Sequence, residues 1–116
     1  MHEHDGKLTD FSRESLDAEL ARLKLFERRL SELPTRGMSR ETHYDFRILR
    51  SAIQSEIFKF EDVASFTKNP MTYAGAFDVN IYIKRDFAPL EERLKSLTAI
   101  LNEAPKVMAA ARANLA

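Results

Sequence analysis

The sequence predicts an all-α fold, four or five helices in an antiparallel bundle-like arrangement, on three observations. Apolar residues recur at steps of three and four through Leu16–Leu33, Phe46–Ala64 and Phe87–Leu115, a spacing that lines one side of a helix. The breaks at Pro34-Thr35-Arg36-Gly37 and Asn69-Pro70 are short and carry helix-stopping residues, so consecutive helices become antiparallel neighbours. Strand-like alternation is confined to Val79, Ile81 and Ile83. An isolated strand with no pairing candidate leaves its backbone groups unsatisfied, so a helix is expected over 76–84 as well.

Taken in order, Met1–Asp10 is polar and reads as a flexible N-terminal tail, with 11–116 forming the helical domain. The first helix is expected from a cap at Ser12 or Ser15 to about Leu33, with Leu16, Leu20, Leu23, Phe26, Leu30 and Leu33 as its stripe. Glu14, Asp17 and Glu19 early and Lys24, Arg28 and Arg29 late complement the helix dipole. Ser39 caps a second helix, expected to reach Ser65 or Phe66. Large side chains surround this helix: Phe46, Leu49, Ile53, Ile57 and Phe60 on one stripe, with Tyr44, Ile48, Phe58 and Phe66 partly off it. Contact on more than one side is implied.

The last stretch opens at Asp86, with Pro89 near a helix start, where a missing N–H costs nothing. A seam of Phe87, Leu90, Leu94, Leu97, Leu101, Ala104, Met108, Ala111 and Leu115 holds phase to the end. This seam is expected to be buried, so a charge at Leu94 or Leu97 should destabilise the domain. Asn102 can cap a fresh helix with Pro105 in its first turn, so Pro105 marks either a restart or a kink.

Composition excludes several function classes. Eighteen basic and eighteen acidic residues cancel, so no net field draws nucleic acid or anionic lipid. The chain has no cysteine, which removes disulfides, thiolate metal sites and a cysteine nucleophile. No window approaches the ~20 apolar residues of a membrane span, and no apolar run of a signal peptide opens the chain. A cytoplasmic protein is the expectation.

No constellation of reactive residues converges. His2, Glu3 and His4 lack a fixed third metal ligand. On a helix, Glu41 and Asp45 share a side from which His43 points away. Glu61-Asp62 and Glu91-Glu92 are adjacent pairs, which diverge around a helix instead of facing one substrate. Arg28, Arg29, Arg47, Arg50, Lys84 and Arg85 are interleaved with acids and show no aromatic stacking register. With three glycines there is no glycine-rich phosphate loop, and no GxSxG elbow occurs.

Four features follow one another in a fixed order. They are Tyr44-Asp45-Phe46 with Leu49, then Asn69-Pro70 with Tyr73. Next comes Arg85-Asp86-Phe87-Ala88-Pro89 running into Glu92-Arg93-Leu94, and last Ala104-Pro105 leading to Ala111-Arg112-Ala113-Asn114-Leu115. In this order they resemble the N-terminal region of the bacterial family called domain of unknown function 885. The resemblance covers about Leu16 to Ala116. It implies a mostly helical, several-fold longer protein similar to zinc metallopeptidases of the HExxH group. In that motif two histidines one turn apart hold zinc, a downstream acid completes the site and the glutamate activates water.

This chain has no HExxH in any register, and Tyr44-Asp45 follow His43. No catalytic, cofactor-binding or metal-ligating residue is therefore assigned, and zinc is implied only for the longer family proteins. The expected function is a non-catalytic N-terminal helical part of a zinc-metallopeptidase-like protein of unknown function, packed against an absent catalytic region. The alternative is a stand-alone helical interaction module, a homodimer being one form. The partners expected are thus a missing C-terminal region of the same protein or a second copy, with neither nucleic acid nor membrane. The chain is read as a fragment, a truncated product or a short relative.

Overall fold

A computed structural model describes residues 6–116, so His2, Glu3 and His4 lie outside the described residues. All regular structure among the described residues is helical, as expected. The chain forms two compact units: Glu14–Ser65, and the described residues up to Arg13 taken with Phe66–Ala116.

The first unit is a helical hairpin of α1 (Arg13–Ser31) and α2 (Arg40–Glu61). Gly37 turns the connection with φ +93° and open space where a Cβ would stand, a conformation that favours glycine. Ser39 is extended, and its hydroxyl accepts the Thr42 N–H at 3.1 Å, the expected N-cap. The helices run antiparallel. Gln54 donates to Glu27 at 3.3 Å, and Lys24 pairs with Glu61, so positions rise on one helix as they fall on the other. Leu16, Leu23 and Leu30 of α1 and Ile53 of α2 are buried, whereas Phe26, Leu33, Tyr44, Ile48, Leu49 and Phe58 are exposed. α2 ends at Glu61, short of the expected Ser65 or Phe66. The Asp62 and Val63 N–H groups both close onto the Phe58 carbonyl, and Ala64 at φ +51° turns the chain out of the helix.

The second unit contains α3 from Phe66 onward (α3 spans Ser65–Lys68), α4 (Met71–Ala74), a 3₁₀ turn (Gly75–Phe77), α5 (Asn80–Lys84) and α6 (Leu90–Asn114). The stretch 76–84, expected as a helix, is helical but broken. Asp78 is extended, and its carboxylate accepts from the Asn80 N–H at 3.0 Å and the Asn80 amide at 2.6 Å. Those bonds, the backbone one foremost, hold the Asp78 carboxyl below the ordinary aspartate range.

α6 corrects two expectations. It is one 25-residue helix with Pro105 inside it, so Asn102 caps nothing and no restart occurs. Proline removes one ladder bond, the one to Leu101, and the helix continues beyond it. The seam is also largely on the wrong side. Arg93, Ile100, Val107, Ala111 and Asn114 are buried, whereas Leu90, Leu94, Leu101 and Met108 are more than half exposed. A line stepping by seven with a polar residue at each end takes the core, because those polar residues find partners inside.

Tyr73, 1% exposed, is the most enclosed large side chain among the described residues. Its hydroxyl donates to the Phe66 carbonyl at 2.5 Å, and its ring meets Phe11 edge-on at 5.2 Å between centroids. Phe11, absent from every expected stripe, is buried here, with Phe66 at 6.3 Å. The Asn114 amide donates to the Phe11 carbonyl at 2.8 Å, and the Ala116 N–H to the Thr67 carbonyl at 3.0 Å. Gly6 lies close against α6, where a Cβ would stand 3.3 Å from Ser96 and Ala99.

Tyr73→Phe keeps the ring contacts and removes only the hydroxyl, leaving the Phe66 carbonyl without this donor. The expected cost is about 1–2 kcal/mol in urea unfolding; an unchanged midpoint would show that the bond contributes nothing.

Candidate functional site

The densest polar arrangement is built around Arg93, in the first turn of α6. Its side chain is 10% exposed. Nε donates to the Ala88 carbonyl at 3.0 Å, Nη1 to the Tyr82 and Arg85 carbonyls at 3.1 and 3.2 Å, and Nη2 reaches Asp86 Oδ1 at 2.8 Å. Tyr82 lies in the last turn of α5 and Arg85 is its C-cap. The guanidinium therefore caps α5 and fixes the elbow into α6. Tyr82 adds an edge-on contact to Phe87 at 5.8 Å and accepts the Gly6 N–H at its hydroxyl, 3.3 Å. Nε, Nη1 and Nη2 of the buried guanidinium are all engaged, three contacts going to backbone carbonyls and one to Asp86. Its chemistry is structural.

The reactive residue types remain apart. His43 is exposed and stacks on Phe46 at 6.4 Å, beside exposed Glu41 and Asp45. Glu61 is engaged by Lys24, while Glu91 and Glu92 sit exposed in the first turn of α6. Arg28, Arg29, Arg47 and Arg50 belong to the hairpin unit, Lys84 and Arg85 to the other, and all are exposed. Among the described residues no three His, Cys, Asp or Glu side chains gather as a metal site. The described residues therefore present no ligand set that fits zinc.

What the surface offers is apolar. In the hairpin, Phe26, Leu30, Leu33, Leu49 and Ile53, with Arg29 at the edge, line a groove of about 370 Å³. Arg22 lies over the Phe26 ring at 5.5 Å, which shields one of its faces. In the other unit, Leu8–Arg13 and the second half of α6 enclose a groove of about 370 Å³ floored by Val107, with Asp10, Glu103 and Lys106 among its lining. The Ser12 N–H donates to Asp10 at 2.9 Å, the main reason its carboxyl is held below the ordinary range, and Lys106 adds a weaker pull.

Sequence reasoning quoted Tyr73, Arg93 and Asn114 as motif residues without assigning them a role. The structure gives all three the same one, a buried side-chain donor on a backbone carbonyl. The exact sevenfold step Arg93–Ile100–Val107–Asn114 was the available signal, masked because its two end positions are polar.

A family model described as a bacterial protein of unknown function (DUF885) matches residues 1–116. Among solved structures, the chain is similar to "a putative lipoprotein of unknown function" from Shewanella oneidensis, with 26% identity and a TM-score of 0.81. That match covers 99% of this chain and 21% of the other, so the chain spans about a fifth of its length. No curated protein matches the chain.

Arg93→Lys keeps the charge but cannot span the three carbonyls and Asp86 together. It should lower stability by about 2–4 kcal/mol, whereas Asp86→Asn, at a side chain 92% exposed, should move the melting temperature by no more than about 2 °C. Equal effects of the two would show that the ion pair, not the carbonyl clamp, is the stabilising part.

Proposed function

The chain belongs to the DUF885 family of bacterial proteins of unknown function, and we propose that it is the non-catalytic N-terminal helical part of a longer, zinc-metallopeptidase-like protein. The observation that carries this reading is the lopsided overlap with the Shewanella oneidensis structure, nearly all of this chain on a fifth of that one. The internal chemistry agrees with it. Buried polar groups here satisfy backbone, and the histidines form no HExxH. In this role the hairpin and α6 supply surface for a catalytic region and one wall of its cleft, and the chain by itself turns over no substrate.

A second reading, a stand-alone interaction module, is favoured by the exposed Tyr44, Ile48, Leu49 and Phe58 on α2. No helix among the described residues is long and apolar enough to cross a membrane. The cytoplasmic location expected from the sequence stands against a relative described as a lipoprotein, and cell fractionation decides between them.

The purified 116-residue chain should hold no stoichiometric zinc by metal analysis and should not hydrolyse an unstructured protein substrate; either property would overturn the first reading. A discrete dimer in light scattering would favour the module, and association without fixed stoichiometry the part that lacks its partner surface.

A further inference from the structure

We infer that the α6 line Leu90, Leu94, Leu97, Leu101, Ala104 and Met108 is the docking face for an amphipathic helix from the remaining region of the longer protein. This rests on the reading just given and names the surface it uses. Leu90, Leu94, Leu101 and Met108 are 60, 52, 51 and 52% exposed, and Leu97 and Ala104 are half-buried. At about 100° per residue, the four exposed side chains fall within roughly 40° of one another. The buried line of Arg93, Ile100, Val107 and Asn114 lies about a quarter-turn away, and Leu97 and Ala104 bridge the two. The exposed line therefore continues the unit's own core along ~27 Å of helix. No charge interrupts it.

Its chemistry selects the occupant. Steps of four and three match the apolar face of another helix. A symmetric pair of α6 helices would need flanking charged rows to fix its register. One flank here is Arg93, Ile100, Val107 and Asn114, already buried in the unit, and the other is Glu91, Thr98, Pro105 and Arg112. Four half-exposed side chains offer on the order of 400 Å², about half of what one partner gives a stable interface. A face of that size holds a helix of the same polypeptide, present at high effective concentration, better than a free second copy. The Shewanella oneidensis chain has nearly four-fifths of its length outside the matched region to supply such a helix.

The chain has no cysteine, so Leu101→Cys and the exposed control Asn102→Cys each give a single thiol for maleimide labelling. In the dilute 116-residue chain both should label at similar rates. In the full-length Shewanella oneidensis protein, with single cysteines at the matching positions, the site of Leu101 should label at least about tenfold more slowly than that of Asn102. Equal rates there would overturn the docking face. Protection at position 101 in the 116-residue chain, with sedimentation as a dimer, would also overturn it by making a second copy the occupant. Zinc or peptidase activity in the short chain would instead sink the proposed function, whatever the labelling shows.

Discussion

The Arg93 guanidinium is the constraint on which the second unit depends. Between α3 and α6 the regular backbone is in pieces of three to five residues, and short helices leave most of their terminal carbonyls without intrahelical donors. Buried carbonyls must be paired. Arg93 answers three part-buried ones from one rigid fork and adds Asp86. Tyr73 does the same for Phe66, and Asn114 for Phe11. Side chains of α6 and α4 thus lend donors to backbone outside the long helices. Among the described residues no fully buried side-chain nitrogen or oxygen lacks a partner.

That constraint also sets the rotation of α6. Arg93 must point toward the α5 elbow, and Asn114, three heptads on, must reach Phe11. A helix anchored near both ends by polar side chains has little freedom to turn about its axis. Ile100 and Val107, on the same line, follow them into the core, and the leucines a quarter-turn away go outward. The polar anchors, not the larger apolar residues, decide which face is inside.

This explains how far the sequence could be read. Helix content, the Ser39 cap and the antiparallel hairpin were legible, because spacing, capping chemistry and a short Pro/Gly turn act locally. The break at Asp78 was not, since an aspartate bonded to the second N–H onward looks like any polar residue between apolar ones. The inner face of α6 was misread because a tally of apolar spacing counts arginine and asparagine as surface. Their burial depends on carbonyls 5 to 11 residues away for Arg93 and 103 away for Asn114, which no helical periodicity encodes. Phe11 escaped for a related reason: it precedes α1 and its partners are Phe66, Tyr73 and Asn114.

The misread seam is nonetheless informative. A solvated helix face gains nothing from leucine over lysine or glutamate, which form helix as well and keep the surface polar. α6 places leucine or methionine at four exposed positions in helical register, beside an inner line that is already filled. So wide an apolar arc exceeds what one buried side of a helix requires. The hairpin repeats the pattern, with Ile53 inside and Tyr44, Ile48, Leu49 and Phe58 outside. Each unit, taken by itself, pairs its fully buried side-chain polar groups and still exposes large apolar residues, so what is left uncovered is apolar surface and not unmet hydrogen bonding.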